Sequence, residues 1–247
     1  MRLIFIRHGE PDYEHDSLTE KGWREAKLLA ARTKDWHVDD FYISPLGRAR
    51  DTASFTLKAH GKTAEIMDWL HEFLGKVPDG VGGTRLCWDL MPADWTAQPE
   101  LLQPTGWEAA PLLQGTNVKA EYDRVTAGLD ALLASYGYTR HGGYYTCRET
   151  CEKTIVCFCH FGITAVLLSH LWNVSPFAVL IPRPDVRNGS EHGGAPARHC
   201  ILPLPDDGRY LAPSDRRRTS ILLRILRRAV SGLNRLCRTK IPPAVRL

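Results

Sequence analysis

Three apolar runs in the chain each stop at residues suited to handling an anion. Leu3-Ile4-Phe5-Ile6 ends at Arg7-His8-Gly9-Glu10, and Phe41-Tyr42-Ile43 ends at Ser44-Pro45-Leu46-Gly47-Arg48-Ala49. Thr154-Ile155-Val156-Cys157-Phe158-Cys159 runs into His160-Phe161-Gly162. Guanidinium groups bind phosphate oxygens bidentately and stay charged. An imidazole beside them can attack phosphorus and split a transfer into two easier steps through a phosphohistidine. Two histidines and two arginines in one pocket therefore suit phosphoryl transfer, with catalysis resting on positioning and on stabilising charge at the equatorial oxygens. Such a pocket requires neither metal nor cofactor, because the arginines and the second histidine supply the positive field. Glu72 lies among apolar and aromatic neighbours, surroundings that raise a carboxyl pKa toward proton-donor duty. Taken singly, each of these residues also has a plainer reading: a surface Arg-His pair, solvated Arg48 and Arg50, and a Glu72 that faces water.

What would bring them together is a parallel sheet. The three runs have the bulky apolar character of strands covered on both faces. In open α/β sheets, ligands bind beyond the carboxyl ends of the strands, where Arg7 and His8, Ser44 and Arg48, and His160 would sit. Gly9 frees the backbone to turn sharply and approach a ligand. Between the strands lie helical patterns. Thr19 is a suitable N-cap ahead of Glu20, and Trp23, Ala26, Lys27, Ala30 and Ala31 repeat at helical spacing, predicting a Trp/Ala face against the sheet. The segment after Pro45 is helix-compatible, so Arg48 falls near a helix N-terminus whose free N–H groups favour an anion. Val125, Leu129, Leu132 and Leu133 mark another helix, and Ile163 to Trp172 a further one. Residues 75–116, rich in Pro, Gly and Trp, read as a long irregular insertion over the sheet edge that serves as a lid.

These motifs, in this order, resemble those of the histidine phosphatase superfamily, also called the phosphoglycerate mutase-like family. The resemblance is carried by Arg7-His8-Gly9-Glu10, Leu18-Thr19-Glu20-Lys21-Gly22, Ser44-Pro45-Leu46-Gly47-Arg48-Ala49, Glu72 and His160, and it spans roughly Met1 to Val179. It implies a three-layer α/β sandwich with a mainly parallel central sheet flanked by helices, in a catalytic domain covering residues 1–180. It implies His8 as the nucleophile, Arg7, Arg48 and His160 as the phosphate pocket, and Glu72 as proton donor to the leaving oxygen and later base for water. The expected activity is metal-independent hydrolysis of a small phosphate monoester. Mutase-type phosphoryl transfer, or a non-catalytic or inactivated phospholigand-binding protein, are the alternatives. Phe161 departs from the pattern, since a second small residue often follows the histidine; a bulky ring there narrows the pocket or points into the core.

Composition bounds the rest. At 247 residues with 43% hydrophobic content, the chain can build a substantial core. No apolar run approaches the roughly 18 residues that a membrane span requires, and no signal segment opens the chain, so a cytoplasmic location is expected. Seven irregularly placed cysteines suggest neither a disulfide framework nor a zinc site. The net charge of +4 conceals a division: residues 1–182 hold 18 Lys and Arg against 23 Asp and Glu, whereas 183–247 hold 14 against 5. An arginine-rich tail ordinarily suggests a nucleic-acid arm or a basic membrane-surface helix. Nothing in 181–247 matches the family pattern, however, and a shift of reading frame accounts for it differently. Arg209-Tyr210-Leu211-Ala212-Pro213 can be encoded so that one base later the same bases read Asp-Thr-Ser-His, which resembles the family's late Asp-x-Ser-His-Leu region. Two further stretches, within 185–188 and 193–201, give family-like readings at the same offset. On this reading neither nucleic acid nor membrane is a partner, the tail is out of frame or poorly ordered, and a missing final strand leaves a sheet edge open to homodimerisation.

Overall fold

The computed structural model describes residues 1–181 and, for 199–203, the backbone. The chain opens with β1 (Arg2–Arg7) and a two-rung hairpin of β2 (Pro11–Asp12) and β3 (Ser17–Leu18), which leads into α1 (Glu20–Thr33). Next come β4 (Asp40–Ile43), α2 (Gly47–His60) and β5 (Glu65–Ile66). The insertion follows, with hairpin β6 (Lys76–Pro78) and β7 (Thr84–Leu86) and the short α3 (Pro92–Thr96). Then α4 (Val118–Ser135) precedes a second hairpin, β8 (Tyr138–His141) and β9 (Tyr144–Cys147). Finally β10 (Thr154–Cys159), α5 (Phe161–Trp172), α6 (Phe177–Leu180) and β11 (His199–Pro203) complete the described elements.

The central sheet has the strand order β11-β1-β10-β4-β5. β1, β10, β4 and β5 run parallel, and β11 is antiparallel to β1. Alternation along the strands divides the core in two. Ile4 and Ile6 of β1, Phe41 and Ile43 of β4, and Val156 and Phe158 of β10 meet Leu29 of α1 and Ala53 of α2. On the other face, Leu3, Phe5, Tyr42, Ile155 and Cys157 meet Leu129 and Leu133 of α4 and Ile163 and Val166 of α5. Each of these side chains that is fully withdrawn from water contributes about 1.5–3 kcal/mol, which is why near-continuous apolar runs read as two-faced strands. No helix among the described residues is long and apolar enough to cross a membrane.

Three details differ from the sequence reading. The face of α1 turned to the core is Gly22, Ala26, Leu29, Ala30 and Thr33. Lys27 and Ala31 face solvent, while Trp23 packs edge-on against Phe55 of α2. Residues 75–116 are not simply irregular: hairpin β6–β7 and short helical turns bring Val77, Cys87, Leu101, Trp107 and Leu113 into the core. Trp107 holds them by ring contacts with Tyr122 and Phe177. Lastly, the backbone of His199–Pro203 pairs with β1 from Arg2 to Ile6, so the β1 edge expected to be bare is paired. The rest of the arginine-rich tail lies outside the described residues.

Gly22 explains why the motif Leu18-Thr19-Glu20-Lys21-Gly22 is needed near the site without entering it. Thr19 caps α1 by accepting from Gly22 N–H at 3.1 Å, and Trp23 N–H is donated back to Thr19 carbonyl. A β-carbon at Gly22 would drive into the carbonyl oxygen of Glu10, in the turn that follows His8. We expect Gly22→Ala to lower the melting temperature by about 2–12 °C, the scale of a backbone clash worth about 1–3 kcal/mol in a chain of this size. An unchanged thermal midpoint would show that the turn yields freely.

Candidate active site

The register of the three central strands places their carboxyl ends side by side. Arg7 pairs with Cys159, and Ile43 with Phe158, so His8, His160 and Ser44 emerge at one level. Backbone bonds extend the ladder past the strand ends, from His8 N–H to Cys159 carbonyl at 3.0 Å and from Ser44 N–H to Phe158 carbonyl at 2.9 Å. His8 and His160 are both buried, with ring centroids 5.1 Å apart.

Hydrogen bonding sets the state of each ring. His8 Nδ1 lies 2.7 Å from the carbonyl oxygen of Gly9, which only accepts, so Nδ1 carries the proton and Nε2 is left with a free lone pair. His160 Nε2 is 2.7 Å from Ser44 Oγ. Burial, together with Arg7 and Arg48, lowers the His8 pKa to about 4 against the opposing effects of Gly9 carbonyl and Asp16. Burial, followed by Arg48, His8, His71 and Arg7, lowers that of His160 to about 2. Both rings are therefore neutral near pH 7 until an anion enters. Among the described residues, Arg7 Nε, Arg48 Nε and His160 Nδ1 are buried without a hydrogen-bond partner. Buried polar groups left unpaired are costly, and the oxygens of a phosphoryl group would satisfy the two arginine N–H groups, with His160 Nδ1 joining them when Ser44 donates to Nε2 and Nδ1 carries the proton.

Arg48 is the second residue of α2, as its distance from Pro45 suggested, while Arg50 faces solvent. The helix N-terminus is, however, already supplied with an anion. Asp16, at the tip of the β2–β3 hairpin, accepts from Gly47 N–H at 2.6 Å and from Arg48 Nη1 at 2.7 Å. Thr52, one turn along α2, accepts from Gly9 N–H at 2.9 Å and donates to Arg48 carbonyl, tying the turn after His8 to the helix that carries Arg48. Sequence reasoning missed both residues. Thr52 could have been found from its i+4 relation to Arg48 on a helix; Asp16 left no local signal.

Glu72 does not face water. Its Oε1 accepts from Phe73 N–H at 2.8 Å and from Ile163 N–H at 2.9 Å, so its carboxyl sits at the N-terminus of α5, next to His160. Burial pushes its pKa up despite those bonds and the charge of Arg48. Trp88 from the insertion covers this point. A β-carbon at Gly162 would collide with the Trp88 ring and crowd Glu72, so the glycine after Phe161 is what lets the insertion close over the carboxyl. Phe161 does not belong to the core; it is half-buried, with its ring centroid 5.6 Å from the Arg7 guanidinium carbon.

With this geometry in view, the family comparison is decisive. The model of the histidine phosphatase superfamily (branch 1) matches residues 3–181. The chain belongs to the histidine phosphatase superfamily.

Individual relatives of this superfamily member are distant. A 2,3-bisphosphoglycerate-dependent phosphoglycerate mutase of Thermoplasma acidophilum is 39% identical over 69 residues, 24% of this chain, and the match spans about a third of the mutase (34%). A solved mycobacterial glucosyl-3-phosphoglycerate phosphatase in complex with VO3 is 19% identical, covers 82% of this chain and 90% of its own, and superposes with a TM-score of 0.50, which shows a shared fold. The α-ribazole phosphatase of Shigella flexneri is 26% identical, with 68% of this chain and 78% of that one covered and a TM-score of 0.42.

Proposed function

We propose that this histidine phosphatase superfamily member hydrolyses small phosphate monoesters through a phosphohistidine on His8. The observation that carries the reading is the state of the His8 ring: Nδ1 is committed to Gly9 carbonyl, leaving Nε2 unprotonated beside two arginines and His160. In the first step the Nε2 lone pair attacks phosphorus, the bond to the ester oxygen breaks, and the departing oxygen takes the proton of Glu72. In the second, water attacks the phosphorus of the phosphohistidine and gives its proton to the Glu72 carboxylate as the P–N bond breaks, which restores neutral His8 and releases phosphate. Arg7, Arg48 and His160 bind the equatorial oxygens, where charge accumulates. Ser44 holds His160 in its orientation. The positive charge needed is thus supplied by side chains, so the reaction is assigned without a metal.

Hydrolysis of p-nitrophenyl phosphate tests this directly. The expected result is turnover at the same rate with and without an excess of chelator, and release of inorganic phosphate equal to nitrophenol. Loss of activity on chelation, restored by a divalent metal, would overturn the metal-free assignment.

A further inference from the structure

We infer that Asp16 is a positioning residue and charge filter: it holds Arg48 for one phosphoryl group and steers the site toward esters whose alcohol carries no second negative charge close to the phosphate. The inference rests on the hydrolytic reading above and adds a substrate class to it. A helix N-terminus next to an arginine would ordinarily be a place for part of the substrate's charge. Here the chain fills that place itself. Asp16 accepts from the first N–H of α2 and from Arg48 Nη1, while Arg48 Nε stays buried and unpaired among the described residues.

The clamp is built into the hairpin. Asp16 has a φ of 45°, in the left-handed region that few residues other than glycine, Asn and Asp occupy. Its carbonyl oxygen lies so close to Gly47 that a β-carbon there would strike it, so the hairpin tip presses on the start of α2 through its backbone as well as its carboxylate. Tyr13, from the same tip, lies 5.5 Å from the Arg48 guanidinium carbon. Pairing commits one N–H of the guanidinium, on Nη1, and offsets part of its charge. A dianionic phosphoryl group still finds Arg7, Arg48 and His160, but a carboxylate a few bonds from the phosphorus that came to lie beside Asp16 would be repelled by its charge. The negative charge of Asp16 also reaches His8, where it opposes the effects of burial, Arg7 and Arg48.

The test compares glycerol 1-phosphate with 3-phosphoglycerate, which differ mainly by a hydroxymethyl in place of a carboxylate. The wild-type chain should prefer the glycerol ester in kcat/KM by about tenfold or more, the effect of a like charge several Å away at the dielectric of a protein surface. Asp16→Asn removes the charge and keeps one of the two acceptor oxygens, the one that meets Arg48 Nη1 or the one that meets Gly47 N–H. It should shift the preference about tenfold toward 3-phosphoglycerate, chiefly through KM. It should also move the acid limb of kcat/KM for the glycerol ester to lower pH, since His8 then loses a neighbour that favours its protonation while Arg7 and Arg48 remain; ionisation of the ester is common to both proteins and cancels. Asp16→Ala, lacking the acceptor, should raise KM for both esters. An unchanged preference and acid limb in the Asn variant would reduce Asp16 to a latch for the hairpin and overturn the inference. Were the wild type to hydrolyse neither ester, the hydrolytic reading would fail. The dissociation constants of the two esters, measured by calorimetry, would then be expected to show the same preference and the same shift, and equal constants in both proteins would overturn the filter as well.

Discussion

Replacing His8 with alanine removes hydrolysis of every phosphate ester the wild-type chain accepts, with kcat lowered by at least about 10⁴-fold, as expected when a covalent nucleophile is lost. Binding should respond quite differently. Arg7 Nε, Arg48 Nε and His160 Nδ1 are buried without partners among the described residues, and none of them bonds to the His8 ring. Inorganic phosphate is therefore expected to bind the His8→Ala variant within a few-fold of wild type by calorimetry. Wild-type protein mixed with a ³²P-labelled ester and quenched in alkali should retain label that acid then releases, the behaviour of a phosphoramidate, and the variant should retain none. Turnover that persists in the variant would refute the assignment of the nucleophile.

The second large effect belongs to Glu72. Glutamine in its place can still accept from Phe73 and Ile163 N–H, so the N-terminus of α5 keeps its partner, but it can neither give a proton nor take one. For an alkyl phosphate, whose alkoxide leaves poorly, kcat should fall about 10²–10⁴-fold. For p-nitrophenyl phosphate, departure needs little help, and the loss should fall on the attack by water. The variant should then release a burst of nitrophenolate equal to the enzyme present and accumulate phosphohistidine. The pH dependence follows from the sign of the shift. Burial raises the Glu72 pKa, so the protonated donor persists above the usual carboxylate range, and wild-type turnover of the alkyl ester should fall as pH rises through that raised value. In Glu72→Gln this alkaline decline should disappear. Full activity of the variant on an alkyl ester would assign proton donation to another group.

The location of Glu72 also shows where local sequence stops being informative. Met67, Trp69, Leu70 and Phe73 surround it in the chain, yet a carboxylate in such a setting faces water as readily as it faces a core. Its burial comes from Ile163 and Gly162, about ninety positions away, and from Trp88, which the absence of a side chain at Gly162 admits. Phe161 teaches the same point. A bulky ring in place of a small residue suggested a narrowed pocket or a core contact, and the fold instead lays it against Arg7, at the end of a strand distant in sequence. The insertion at 75–116 lacked any regular period because its core residues, Val77, Cys87, Leu101, Trp107 and Leu113, are placed by contacts with other elements, as Trp107 is by Tyr122 of α4 and Phe177 of α6, rather than by a repeat of their own.

The amino-acid order by itself marked the three central strands β1, β4 and β10 and the residues at their ends. Burial on both faces demands continuous apolar runs, and a ligand site at the carboxyl ends of parallel strands demands that the polar residues follow at once, so Arg7, His8, Ser44, Arg48 and His160 could be picked out in advance. Tertiary structure alone decided how those groups are held and charged. Asp16, Ser44 and Trp88 act through bonds and contacts between segments far apart in the chain, and such pairings leave no periodicity or spacing for a reader of one sequence to detect. The anion at the head of α2 turned out to be part of the protein, a fact that exists only once the hairpin has folded back onto Gly47 and Arg48.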